Sequence, residues 1–403
     1  MTDCDLLILG GGASGLAAAI EAARSGVCPV VLERLDRVGK KILATGNGRC
    51  NLLNLNASGA QYNDPAFVSE ILHAFDVESD LDFFRSMGLV MTADSAGRVY
   101  PRSMAASTVL DVLRLECTRL GVELRTGESA ANVRRTGSAF VVNGAMRTKA
   151  LIVACGGKAA PAQGSDGSGY PLLRALGHSV TALRPALVQI RTETDAIRPL
   201  KGLRSMASLT LRTPKGETYT SDGEILFADY GLSGIAAMDL SRHAAEGSVL
   251  TIDLLPDMTE TETLDWLHAR RRDDPRRPLD VFLTGLTQSR IGQTVLRQTL
   301  RMDLSLPCRK LDDGQLTALC RALKGFPLRV TGTKGFTDAQ LTAGGVPTAE
   351  FDISLASRKT PGLFVCGEIL NVDGLCGGYN LTFAWSSGRL AARSAVQYIR
   401  DQG

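Results

Sequence analysis

Three glycine-rich segments carry the chemistry in this chain of 403 residues. The first, Gly10-Gly11-Gly12-Ala13-Ser14-Gly15, follows the apolar run Leu6-Leu7-Ile8-Leu9 and leads into Leu16-Ala17-Ala18-Ala19-Ile20. It is a G-x-G-x-x-G turn between a strand and a helix, the layout that cradles a dinucleotide pyrophosphate. Gly10 makes the tight turn, Gly12 lets backbone approach phosphate, and Gly15 lets the helix pack close to the strand. Ala13 and Ser14 lie at the helix N-terminus, where unpaired N–H groups and a partial positive charge favour an anion. Glu33 ends the run Val30-Val31-Leu32, where a carboxylate accepts from a ribose diol, and Arg34 follows it. The chemistry expected here is binding of an adenosine diphosphate group.

The second segment is Gly39-Lys40-Lys41-Ile42-Leu43-Ala44-Thr45-Gly46-Asn47-Gly48-Arg49-Cys50-Asn51. Lys40, Lys41 and Arg49 bring positive charge, Thr45 a hydroxyl, Gly46 and Gly48 exposed N–H groups, and Asn47 and Asn51 amides. Such a set can clamp a pyrophosphate and a chain of hydroxyls. The third segment decides which nucleotide is expected. A late strand ends in Cys366-Gly367-Glu368, and Asp373-Gly374 and Gly377-Gly378-Tyr379-Asn380-Leu381 open the last helix. An acid reaches a ribityl chain, and a positive helix end meets the pyrimidine edge of a flavin, favouring hydride uptake. Between them, the strand Leu151-Ile152-Val153-Ala154 ends in Cys155-Gly156-Gly157, so Ala154, Gly156 and Gly157 can pass close to the cofactor. The expected cofactor is FAD. The candidate proton donors are Tyr379, Cys376, Cys50 and Asp373, with Tyr379 the catalytic choice. Asn380 is expected to cap the last helix or touch the flavin.

These segments need elements to hold them. A βαβ start, a helical stretch over 64–87, a helix from Met104 to Leu120 and a hairpin at Thr136-Gly137 precede the 151–157 strand. Gly164-Ser165-Asp166-Gly167-Ser168-Gly169 does not open a second βαβ unit, so it reads as a loop near the site or leading into a helix. After residue 185 the texture turns β-like; from 259 it is charged and helical; from 336 it is glycine-rich again. The fold class expected is α/β: a discontinuous Rossmann-type FAD-binding domain with an inserted β-barrel-like domain and a helical insert. The boundaries expected are 1–185 and 341–403 for the FAD domain, 186–255 and 325–340 for the β-rich domain, and 256–324 for the helical insert.

Composition narrows the function. The formal net charge of +3 gives no argument for a nucleic-acid partner, and the cluster Arg270 to Arg277 alternates with acids as a solvated turn would. The nine cysteines are scattered without a C-x-x-C pair, which suits a reducing compartment and not a zinc site. Only four histidines are present, so no metal centre is expected. Neither a leader nor a membrane-length apolar run is apparent, and a cytoplasmic location is expected. Oligomeric state stays open.

Taken together, these motifs resemble the bacterial flavoproteins that include BaiN-type proteins and aminoacetone-oxidase-like enzymes. The 39–51 segment, Gly223-Glu224-Ile225-Leu226-Phe227 through Gly231-Leu232-Ser233-Gly234, Thr342-Ala343-Gly344-Gly345-Val346, and Gly367-Glu368 through Ser386-Ser387-Gly388 carry the resemblance. Phe227-Ala228-Asp229-Tyr230 departs from it, since the family often has a Thr-His-like pair there. The resemblance implies an FAD domain interrupted by barrel and helical domains, Ala130 beside adenine, and Gly344 and Gly345 meeting the flavin through their backbone. It implies reduction of a conjugated C=C bond in a small hydrophobic enone of steroid or bile-acid type, with NAD(P)H as a transient reductant. A peroxide-forming amine oxidase and a non-enzymatic flavin-bound interaction protein are the competing readings.

Overall fold

The computed structural model describes residues 2–402. The chain divides into two units, one built from residues 1–185 and 336–403, the other from residues 186–335.

The first unit is laid around a mostly parallel sheet. Strand Thr2–Leu9 lies at its centre, between Val30–Glu33 and Met146–Val153, and Glu123–Thr126 flanks Val30–Glu33. Met146–Val153 is shared. Its first half pairs antiparallel with Ala139–Val142, and its second half pairs in parallel with Leu363–Val365. Leu6, Leu7, Ile8 and Leu9 are buried, as an unbroken apolar run in a parallel strand covered on both faces should be. Helix Ala13–Arg24 and the final helix Tyr379–Gln402 pack together, with an ideal Cβ on Gly388 only 2.3 Å from Ser14 O. First and last motifs therefore meet at the C-terminal ends of the strands, where open α/β sheets bind ligands.

One expectation needs correction. The helical stretch over 64–87 is two helices, Pro65–Ala74 and Val77–Arg85. Asp64 caps the first through Phe67 N, and Asp76 caps the second through Ser79 N. The apolar period runs through the break, but an aspartate before a fresh turn starts a new helix. The loop 164–169 does lead into a helix, Gly169–Ala175.

The second unit is a closed barrel of Ile190–Thr192, Gly231–Ser233, Thr218–Ala228, Arg204–Arg212, Val249–Asp253 and Phe326–Thr333, with the last strand returning to the first. Closure removes the exposed edges that such strands would otherwise present. Helices Glu260–Asp273, Ser289–Leu300 and Asp313–Lys324 share its core. No helix among the described residues is long and apolar enough to cross a membrane.

Candidate functional site

The three motif glycines of the first turn, Gly10, Gly12 and Gly15, have different surroundings. An ideal Cβ on Gly10 would lie 2.5 Å from Ala154 O, and one on Gly15 would lie 1.9 Å from Gly10 O. Both are packed by protein. Gly12 meets nothing within 4 Å and has an ordinary φ of −82°, so its missing side chain leaves room for something outside the chain. Beside it, Glu33 accepts from Gly11 N at 2.9 Å and from Leu35 N at 2.8 Å, which fixes the carboxylate at the strand end. Gly127 N and Glu128 N donate to the carbonyls of Leu35 and Glu33, which draws the connection bearing Ala130 to this end. Arg34 Nη2 lies 3.3 Å from Asp166 Oδ2. Ser165 is buried against Gly156, and its Oγ finds no partner among the described residues.

The 39–51 segment reaches the sheet through one lysine. Lys41 Nζ is 2.6 Å from Glu368 Oε2, and Glu368 Oε1 accepts from Thr342 N at 3.0 Å. Thr342 is buried, and its Oγ1 accepts from Lys158 N at 2.7 Å and Ala159 N at 3.0 Å. This network joins the 39–51 segment, the turn after Gly157, strand Leu341–Ala343 and Glu368. Lys40 does not share it; it pairs with Asp36 at 2.5 Å. Neighbouring residues of a helical turn point about 100° apart, so one lysine of the pair faces the site and the other does not. Thr45 is likewise turned away, donating to Ile42 O at 2.7 Å. Arg49 sits over the Tyr100 ring, 5.9 Å from its centroid.

Two residues here hold left-handed backbone without being glycine, Asn47 at φ 55° and Cys50 at φ 56°. Strain of this kind gathers at sites where surrounding structure over-determines the backbone. Burial pushes the Cys50 thiol up to about 11, which keeps it protonated and unsuited to redox exchange. Next to it, Asn51 Oδ1 is buried without a partner among the described residues and faces Gly378, whose ideal Cβ would lie 2.7 Å away.

The third segment is held by aromatic and amide contacts. Tyr62 OH donates to Tyr379 O at 2.7 Å, and the two rings meet edge to face at 6.4 Å. Burial pushes the Tyr62 phenol upward, so it remains a donor. Asn380 closes the turn before the helix: its Oδ1 accepts from Gly374 N, and its Nδ2 donates to Gly374 O and Leu375 O. Asp373 is buried, with its backbone bonded to Asn63, and Leu381 packs on the core. Gly367 lies against Ser14, and Gly367 N donates to Ser387 Oγ. Gly344 and Gly345 have φ of 92° and 151°, and ideal Cβ atoms there would strike Ala182 O and Ile369 O.

An extended nucleotide cofactor suits this arrangement. Among the described residues, the open space at Gly12, the unpartnered buried Oγ of Ser165, the OH of Tyr170 and Oδ1 of Asn51 belong to segments that follow the C-terminal ends of interior strands. Buried polar atoms seldom go unpaired in a folded chain, and a ligand rich in hydroxyls and ring nitrogens would supply their partners. Sequence reasoning put the 164–169 loop near the site or leading into a helix and Thr342 in a family motif, gave neither loop nor threonine a side-chain role, and missed Tyr170. The Ser-Asp-Gly turn was visible, but only the fold brings it beside Gly156. Among the described residues, no group of three potential ligands could hold a metal ion.

Thr342→Val tests the network. Valine keeps the shape but leaves Lys158 N and Ala159 N without their acceptor, a loss of about 1–3 kcal/mol by urea unfolding of this unit. A change below the error of the fit would mean that water replaces the hydroxyl.

Residues 4–394 match the family described as HI0933-like protein Rossmann domain. Among curated proteins, the chain is 38% identical to the 3-dehydro-bile acid delta(4,6)-reductase of Clostridium scindens, covering 97% of this chain and 98% of that one. It is 29% identical to the ribosomal RNA dihydrouridine synthase of Escherichia coli, covering 97% and 98%. Its identity to the protein of the same name from Haemophilus influenzae is 26%, covering 96% and 97%.

Proposed function

The chain belongs to the HI0933-like Rossmann-domain family and is a flavin-dependent oxidoreductase; from that premise we propose that it saturates a C=C bond conjugated to a carbonyl in a small hydrophobic enone. The observation that carries the reading is the end-to-end 38% identity to a reductase of bile-acid Δ4,6 bonds. A steroid or bile-acid enone is the substrate type it favours.

FAD is the cofactor, and it supplies, when bound and reduced, the hydride that adds to the β-carbon. The chain's part is to bind, orient and protonate. Gly12 and the N–H groups of the helix beginning at Ala13 take the pyrophosphate. Glu33 takes the adenosine ribose, with Arg34 and Ser165 closing that end. Lys41 and Glu368 would hold the ribityl region as a pair, and Asn51 Oδ1 would offer the flavin ring an acceptor. Gly344 and Gly345, glycine for their positive φ and close packing, would offer the ring backbone alone. Saturation also needs one proton at the α-carbon. We assign its delivery to Tyr379, whose backbone carbonyl Tyr62 holds in place. Hydride and proton together add two hydrogens across the bond. NAD(P)H, docking transiently, would supply the reducing equivalents, since the sequence has no second G-x-G-x-x-G unit.

A second reading shares the same chemistry. Uracil is itself an enone, its C5=C6 bond conjugated to the C4 carbonyl, and two full-length relatives are named for forming dihydrouridine in ribosomal RNA. Arg276, Arg309 and Lys310 are exposed, and backbone bonds from Arg309 N to Pro275 O and Cys308 N to Arg277 O bring their segments together. Arg271, Arg272 and Arg277 nearby are paired with acids. Such a cluster would meet phosphates.

NAD(P)H consumption separates these readings. Turnover with a 3-oxo-Δ4,6 bile acid and none with uridine-containing ribosomal RNA is the expected result. RNA turnover alone would transfer the assignment to the second reading. Peroxide released with an amine, and no enone turnover, would overturn both.

A further inference from the structure

His178 lies outside the cofactor segments, yet it is buried and fully engaged. Its Nδ1 is 2.6 Å from Glu350 Oε2, its Nε2 is 2.9 Å from Ser357 Oγ, and its ring stacks on Phe351 at 4.9 Å. The order serine, histidine, glutamate resembles a nucleophilic triad, but Ser357 Oγ also accepts from Lys359 N at 3.1 Å and Thr360 N at 2.9 Å. With both lone pairs engaged and its proton directed at the imidazole, the hydroxyl is a structural acceptor and not a nucleophile.

What the cluster does hold is a loop. Four residues, 178–181, grip both ends of segment 344–350. At one end Thr181 N donates to Gly345 O at 2.9 Å, and Gly345 N donates to Thr181 Oγ1 at 3.0 Å. At the other, Glu350 accepts from His178, from Ser179 N and from Ser179 Oγ, and pairs with Lys359 at 2.8 Å. Lys359 Nζ and Thr360 Oγ1 tie the far side to the carbonyls of Gly177 and Leu176. The grip sets where Gly344 and Gly345 lie, at positive φ and with no room for a Cβ.

We propose that His178 is a positioning residue for the flavin, acting through Glu350 and the 344–350 loop to set the backbone that meets the ring. The inference rests on the FAD reading above. The neutral imidazole fits this hydrogen-bond pattern, donating at Nδ1 and accepting at Nε2. A proton on Nε2 would face Ser357 Oγ, whose lone pairs are taken. The charged groups facing the ring are Glu350 and Lys359. Burial, opposed by Glu350 and aided by Lys359, holds the imidazole below its ordinary value. Glu350 is drawn down to about 2: burial would raise it, and the bonds from Lys359, Ser179 and His178 outweigh that. Both shifts have one sign. Each folded value lies below the unfolded one, so each contribution is complete above the unfolded value and is lost as pH falls through the folded value. For His178 that window begins below about 6.5 and for Glu350 below about 4.5.

The test measures the flavin's reduction potential, visible spectrum and dissociation constant between pH 7.5 and 5 for the full chain and for His178→Gln and Glu350→Gln, with far-ultraviolet circular dichroism as the check on folding. The parent protein is expected to lose FAD affinity on the acid side of the histidine window, where a proton on Nε2 would face Ser357 Oγ and loosen the grip. His178→Gln should remain folded, shift the potential and lose that acid step; Glu350→Gln should shift the potential in the same direction. FAD bound by the parent, with potential, spectrum and acid step all unchanged in His178→Gln, would overturn the proposal and leave the FAD reading standing. A parent protein that takes up no FAD would overturn both. If His178→Gln does not fold, the potential and acid step of Glu350→Gln decide alone.

Discussion

Gly12→Val is expected to abolish FAD binding while leaving the protein folded. Beyond its own chain neighbours, no described residue comes within 4 Å of an ideal Cβ at Gly12, and φ of −82° is open to any residue. The fold itself therefore does not require glycine there. The pyrophosphate does, because only a bare backbone lets phosphate oxygens reach the helix N–H groups. A valine would displace the phosphates by more than a hydrogen-bond length, so affinity should fall by at least about hundredfold, some 3 kcal/mol. Gly15→Val makes the contrast. Its Cβ would sit 1.9 Å from Gly10 O, so that variant should fail to fold at all. Isothermal titration with FAD and a thermal melt of the apoprotein read the two effects. Gly12→Val that binds FAD with parental affinity would contradict the assignment of this turn.

The largest effect on stability is expected from Arg389→Met. Arg389 is 6% exposed and lies in the last helix, where it joins the first helix to Val77–Arg85. Its Nε donates to Glu21 Oε2 at 3.0 Å, and its Nη1 donates to Asp80 Oδ1 at 2.7 Å and to Ser79 O at 2.9 Å. The guanidinium also stacks over Phe75 and Phe83, at 4.3 and 4.8 Å. Methionine would fill the apolar volume but take a donor from two carboxylates and leave Asp80 without its cation. Asp80 is fully buried and keeps only Ser386 as a side-chain partner, whereas Glu21 keeps Arg393. Burial already pushes Asp80 up to about 6 against the pull of Arg389. Breaking one partner of a buried pair costs about 3–5 kcal/mol, because the remaining charge has no solvent. The double variant Arg389→Met with Asp80→Asn should recover part of that loss, since the amide carries no charge. Urea unfolding of the four proteins in a cycle measures the coupling. A loss under about 1 kcal/mol for Arg389→Met would mean that water reaches the carboxylates.

The cofactor end of the fold was legible because its signals are local. Gly10 to Gly15 and Glu33 lie within one βαβ unit, and turn chemistry and strand order follow from that short stretch. The closed barrel was legible as alternating strands with turns after residue 185, though closure itself depends on Phe326–Thr333 returning to Ile190–Thr192 across some 130 residues. What stayed hidden was pairing over distance. Lys40 and Lys41 look alike in sequence, and only helix geometry turns Lys41 to Glu368 and Lys40 to Asp36. Thr342 stands in a family motif without a role of its own until its hydroxyl is found between two N–H groups from residues 158 and 159. Asn380, expected to cap the last helix or touch the flavin, folds the turn before that helix through Gly374 N, a bond that only the fold reveals. His178 and Arg389 gave no signal, because a lone histidine or arginine shows its partners only in three dimensions. The break at Asp76 is the exception, since a capping aspartate was there to be read.

The most direct test of the central claim is a single turnover without oxygen. The protein is loaded with FAD, reduced to completion and mixed with a 3-oxo-Δ4,6 bile acid. The account predicts that the yellow of oxidised flavin returns with saturating kinetics, one flavin oxidised for each C=C bond saturated, and that Tyr379→Phe slows this step without weakening FAD binding. Reduced flavin that stays colourless with both the enone and a uridine-containing RNA would contradict it.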